Sequence, residues 1–202
     1  MTLTECLTNY CGNDPVNRFD PDGRECDPVK NPKIRHNRAS NLFGKVRNNS
    51  STCHQGFDYE APVGTDVLAV KDGVVVDSGS AGPKYGTAIC IKHTMDDGSI
   101  KYTFYAHLSE TYVKVGDKVQ EGDTIGKTGT TGNAGNMEGK DQHLHFEFRS
   151  KQYAPKGLDG RDNPNNVVPT KFESQDSSNL AQNSVGVVKV DEDENITIMN
   201  ID

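Results

Sequence analysis

The densest group of side chains able to do chemistry is the run Gln142-His143-Leu144-His145-Phe146-Glu147-Phe148-Arg149. Read as a strand, it puts Leu144, Phe146 and Phe148 on one face and His143, His145, Glu147 and Arg149 on the other. The first face is core. Two imidazoles, a carboxylate and a guanidinium in one row belong to a polar site. About ninety residues earlier, His54-Gln55-Gly56-Phe57-Asp58 supplies an imidazole and a carboxylate across a glycine that allows a sharp bend. Neutral imidazole and carboxylate are zinc donors, and a His, Asp, His set leaves a fourth tetrahedral position open for water. Three protein ligands plus an open position mark a catalytic rather than a structural site. Of the remaining histidines among the six in the chain, His36 lies with Arg35, Asn37 and Arg38 in a run that reads as a solvated basic loop. His93 reads as a surface or satisfied core residue.

These side chains need a frame, and the sequence points to an all-β one. Between residues 36 and 170, short apolar stretches alternate with Gly and Asp turns, and no helical i, i+3, i+4 stripe of useful length occurs. Residues 67–70, 73–76, 88–91 and 102–106 are rich in β-branched and aromatic residues and read as strands. Val113-Lys114-Val115-Gly116-Asp117-Lys118-Val119-Gln120-Glu121-Gly122-Asp123-Thr124-Ile125-Gly126 reads as a compact hairpin arrangement whose glycines supply positive φ. Residues 1–35 carry scattered apolar residues with no period and read as an irregular segment, dispensable for the chemistry. Residues 171–202 read as a polar linker followed by a terminal β-hairpin around an Asp-Glu-Asp-Glu stretch.

With these motifs in hand, the chain is identified as a member of a known family. His54-Gln55-Gly56-Phe57-Asp58, then Tyr105-Ala106-His107-Leu108-Ser109, then His143-Leu144-His145-Phe146-Glu147 resemble, in order and at family-like spacing, the motifs of the lysostaphin/LytM-type zinc endopeptidases. The resemblance covers residues 41–149, including Leu42-Phe43-Gly44. It implies antiparallel sheets forming a groove. It further implies zinc on His54, Asp58 and His145, with His107 and His143 as catalytic imidazoles that bind no metal. Glu147 then orients a neighbouring histidine rather than acting as a base. The substrate implied is the peptide of bacterial peptidoglycan, cut in the cell wall or periplasm. One departure stands out: the stretch before His143 is longer than the family pattern, so residues 133–141 are expected to enlarge a groove wall, with Asn133, Asn136 and Met137 on it.

Bulk properties narrow the partners. At 202 residues the chain can bury a real core, and its longest apolar runs are four residues, too short to cross a membrane. A net charge of −7 argues against nucleic acid or an anionic membrane as partner. The five cysteines form no CxxC pair. Residues 1–20 lack the basic and apolar regions of a Sec signal peptide. Asn9-Tyr10-Cys11-Gly12-Asn13-Asp14-Pro15-Val16-Asn17-Arg18-Phe19-Asp20-Pro21-Asp22-Gly23 resembles the closing motif of Rhs-repeat core domains. That resemblance implies a toxin end delivered by a larger scaffold, with an immunity protein as partner. Two other classes compete. A non-catalytic wall- or amidase-binding module of the same fold would have lost ligands that are present here. A biotinyl or lipoyl carrier would need a lysine at a hairpin tip.

Overall fold

The computed structural model describes residues 26–173, together with the backbone of residues 187–190 and 196–199. Its strands run in order β1 (Gly44–Arg47), β2 (Thr52–His54), β3 (Phe57–Glu60), β4 (Asp66–Leu68), β5 (Gly73–Ser80), β6 (Thr87–Thr94) and β7 (Ile100–Thr111). There follow β8 (Lys118–Val119), β9 (Thr124–Thr128), β10 (His143–Arg149), β11 (Arg161–Asp162), β12 (Lys171–Glu173), β13 (Val187–Val190) and β14 (Ile196–Met199). Among the described residues the α-helical content is a four-residue turn, α1 (Gly82–Tyr85). The fold is antiparallel β, as the sequence pattern implies. The main sheet runs β11-β10-β7-β6-β5-β8, with β3 on β10 and β9 joining β4 to β7.

The alternation read from residues 143–149 decides where β10 sits. Its apolar face, Leu144 and Phe146, enters a core with Phe57, Tyr59, Ile89, Ile91, Tyr105, Leu108 and Ile125. Rings meet edge to face there, Tyr59 on Phe146 at 6.2 Å and Phe57 on Tyr59 at 6.0 Å between centroids. Each such fully buried apolar side chain contributes roughly 1.5–3 kcal/mol over leaving it exposed. The other face is buried as well, which is why β10 can carry polar groups only if they are partnered. Beside it lie Ala88, Cys90, Phe104 and Ala106 of β6 and β7, forming a second, smaller cluster. Arg149 lays its guanidinium over the Phe104 ring at 3.7 Å.

Three sequence readings need correction. Residues 26–35 do not lie outside the domain. Cys26, Val29 and Ile34 are buried, Leu68 N–H donates to Pro28 O at 2.9 Å, Glu60 N–H donates to Lys33 O at 2.8 Å, and Ile34 bridges Tyr59. The segment docks through single bridges rather than a regular strand, so its apolar residues have no period to read. Second, Val113–Gly126 is not a hairpin: β8 pairs with β5, while β9 pairs with β4 and β7. Its turn glycines do take positive φ, 95° at Gly116 and 81° at Gly122. Third, the stretch read as a linker from residue 171 starts with strand β12. Phe172 of β12 is buried against Phe57 and Tyr59, with centroids 5.9 Å from each. β12 pairs in parallel with β13, and β13 in antiparallel with β14. Residues 9–23, which carry the Rhs resemblance, lie outside the described residues.

Candidate active site

Strand register assembles the site. β10 is flanked by β3 on one side and β7 on the other, and His145 lies opposite both Asp58 and Ala106. That places Asp58, His145 and the neighbourhood of His107 in one row across three strands. His54 ends β2 and reaches the row through the short link to β3. The chain bends at Gly56 in that link, as read from the sequence, and glycine is also needed there for close approach: a Cβ would run into the Phe146 carbonyl of β10. On β7, residues Ala106 and His107 oppose one residue of β6, a bulge that turns His107 into the left-handed region at φ 64°. A histidine held there by its surroundings is re-aimed relative to its strand.

The four histidines of the cleft share one device. Each gives its outer N–H to a group that can only accept. His54 Nδ1 donates to Leu42 O at 2.9 Å, His107 Nδ1 to Thr131 O at 2.9 Å, and His143 Nδ1 to Asp141 O at 2.8 Å. His145 uses Nε2 toward Glu147 Oε1 at 2.9 Å. The other nitrogen of every ring therefore faces the cleft.

Two of these inward nitrogens converge on one carboxylate oxygen. His54 Nε2 lies 3.0 Å from Asp58 Oδ1, His145 Nδ1 lies 2.8 Å from the same oxygen, and the two nitrogens are 3.3 Å apart. His54, Asp58 and His145 form a group whose ligand atoms fall within 4.8 Å of one another. Two neutral imidazole nitrogens and one carboxylate oxygen, all buried, suit a divalent cation and zinc above all. Asp58 offers one oxygen only, since Arg47 Nη2 holds Oδ2 at 2.9 Å.

Electrostatics follow from this packing. Burial raises the Asp58 carboxyl, but hydrogen bonds from His145 and His54 outweigh it and hold the pKa well below the usual carboxylate range. Burial lowers His145, but hydrogen bonds to Asp58 and Glu147 win and its pKa is raised. Burial lowers His54 and His143. It pushes His107 down to about 4, helped by the charges of His145 and His143. Glu147 is fully buried, yet His145 and Arg149 hold its carboxylate ionised far below its ordinary range.

His107 and His143 face each other with ring centroids 5.0 Å apart, beside His145. Asn133 and Met137 line the cleft. Asn136 is exposed and is not among the lining residues, because its turn points it outward from that wall. His36 is exposed, but its neighbour Arg35 is not part of a solvated loop: it lines the cleft, with its side chain 15 % exposed. His93 is a core residue, bonded to Asp72 O and Thr103 Oγ1, each at 2.8 Å. Arg47, Lys84, Tyr85, Gln55 and Arg161 also belong to the site or its support and were not read from sequence. Only Ile34, an apolar residue inside a polar run, hinted that its neighbour Arg35 was anchored.

Residues 52–156 match the model of a family described as Peptidase family M23. An uncharacterized metalloprotease of Buchnera aphidicola is 33% identical over 174 residues, covering 77% of this chain and 44% of that protein. The peptidoglycan DD-endopeptidase ShyC of Vibrio cholerae is 35% identical over 153 residues, covering 73% of this chain and 32% of its own length. The chain thus spans less than half the length of these relatives. Among solved structures, LytU aligns with a TM-score of 0.52 at 26% identity, over 75% of this chain and 90% of that one.

Proposed function

This chain belongs to peptidase family M23, and from that premise we propose that it is a zinc endopeptidase cutting the peptide cross-links or stem peptides of bacterial peptidoglycan. The observation that carries the reading is the convergence of His54 Nε2, Asp58 Oδ1 and His145 Nδ1, each ring anchored by its other nitrogen. In this reading those three side chains hold the ion. A zinc ion so held supplies Lewis acidity toward the scissile carbonyl and a water acidified to near neutrality.

The chain's own groups do the rest. His107 and His143 hold no place in the ligand set, and each presents an unprotonated nitrogen to the cleft. One takes the proton of the attacking water, and the other, once protonated, gives a proton to the leaving amine nitrogen. Burial holds the His107 pKa down to about 4, which keeps the ring neutral and able to accept a proton near pH 7. Glu147 fixes the tautomer of His145, and Arg149 and Arg161 fix Glu147 at 2.7 and 2.5 Å. Arg47 keeps Asp58 to one oxygen.

The experiment pairs metal content with turnover. Intact protein should carry about one zinc, and His145→Ala or Asp58→Ala should release it. His107→Ala and His143→Ala should retain zinc and melting temperature while hydrolysis of purified sacculi falls roughly a hundred- to ten-thousand-fold. Retained zinc with no wall hydrolysis in the unmutated chain would favour the binding-module reading, in which the fold holds wall or a partner amidase. The delivered-effector reading rests on residues 9–23 alone. It stands or falls on whether a neighbouring immunity protein blocks the activity.

A further inference from the structure

The proposed peptidase reading does not say which feature of the peptide the cleft recognises. Its lining side chains include three cations, Arg35, Arg47 and Lys84, against one carboxylate, Asp58, in a chain whose net charge is −7. Two of the cations are engaged. Arg47 holds Asp58 Oδ2 at 2.9 Å and Ser40 O at 2.8 Å. Lys84 bonds Gln55 Oε1 and lies over the Tyr85 ring at 4.7 Å.

Arg35 differs. Nη2 donates to the Asn41 side-chain carbonyl at 3.0 Å, while Nη1 has only Asp141 O at 3.3 Å and Met137 Sδ at 3.5 Å. Its Nε is buried and has no hydrogen-bond partner among the described residues. The 3.3 Å approach of Nη1 to His143 Nδ1 is no bond, because that nitrogen already gives its hydrogen to Asp141 O. The carboxylate beside it, Asp58 Oδ2, is 3.9 Å away and already taken by Arg47. A guanidinium facing neutral atoms in a cleft of like charge lacks the anion it binds best.

We propose that Arg35 reads a free carboxylate on the substrate next to the scissile amide, so that the cleft selects acidic cross-links over neutral ones such as oligoglycine. This deepens the peptidase reading and rests on it. Lys84, held by Gln55 and Tyr85 in the same cleft, adds attraction at longer range. The stretch from 133 to 141 aims the guanidinium. Met137 and Asp141 touch it, and His36 Nε2 meets Asp141 Oδ1 at 2.8 Å, clamping the next residue in the chain. The extra length seen in the sequence thus acts on specificity through Arg35.

The test compares two synthetic cross-linked peptide dimers, identical except that the carboxyl group on the carbon bearing the scissile nitrogen is free or amidated. The zinc-loaded chain should cut the free acid with kcat/KM about tenfold higher or more, the difference lying in KM and shrinking as salt is added. In Arg35→Gln the ratio should fall to near one with zinc retained, and Arg35→Lys should restore part of it. Equal cleavage of the two dimers by the unmutated chain, which needs no variant to fold, would overturn the inference and leave the peptidase standing. So would a preference for the acid that Arg35→Gln leaves intact. Cleavage of neither dimer by zinc-loaded protein would remove the peptidase reading, and this inference with it.

Discussion

Glu147 accepts three hydrogen bonds inside the protein, at Oε1 from His145 and at Oε2 from two guanidiniums. Replacing it with glutamine keeps the shape and removes the charge that three cationic or polar donors share. Glu147→Gln is therefore expected to weaken zinc binding by about 10- to 100-fold in a chelator competition. The same change should cost about 3–5 kcal/mol of unfolding free energy, because Arg149 and Arg161 stay buried without a counter-charge. A variant with unchanged metal affinity would show that the tautomer of His145 is fixed by something else. At this scale much was legible in the sequence. The alternation in residues 143–149 named a polar face, and the spacing of His54 and Asp58 matched a ligand pair. Arg35, Arg161 and Tyr85 were not legible, since nothing local says which distant segment closes over a given strand.

At the level of elements, the segment of residues 26–35 acts as a tenth piece of the frame rather than as a leader to it. It caps β3 with backbone hydrogen bonds, buries Val29 and Ile34, and delivers Arg35 to the cleft. A chain beginning at residue 26 is expected to fold and bind zinc like the full chain. One beginning at residue 36 should melt at markedly lower temperature and lose wall hydrolysis, as circular dichroism and sacculus digestion would show. Equal behaviour of the two would return the domain boundary to where the sequence pattern put it. The strands themselves were largely readable, because β-branched runs between Gly and Asp turns have a local cause. Their partners were not: residues 118–119 and 124–128 look like neighbours in a hairpin, yet the first pairs with β5 and the second with β4, each tens of residues away. Pairing is decided by which apolar faces must share one core, a property of the whole chain.

Taken whole, the molecule buries five histidines, four in the cleft and His93 in the core. His54, His93, His107 and His143 have pKa values lowered from 6.5 by burial, with His107 reaching about 4. The folded state then binds fewer protons than the unfolded one, so their contribution is full above pH 6.5 and is lost as pH falls through that value toward 4. His145, raised, works in the opposite sense and loses its contribution as pH rises above 6.5. Four groups against one give a net expectation: metal-free protein should melt at lower temperature at pH 5 than at pH 7. His93→Gln should flatten that slope without touching the cleft; a slope unchanged in this variant would locate the titration elsewhere. The same long-range assembly has a consequence for the cell that makes this protein. His54 and His145 are 91 positions apart, Arg35 and His143 are 108 apart, and β10 slots between β3 and β7 only after both exist. The segments carrying Arg35, His54 and His107 must therefore all leave the ribosome before the one carrying His143 and His145 can close the site. Until then a nascent copy lacks the assembled ligand set, so the activity proposed above has no site from which to arise during synthesis.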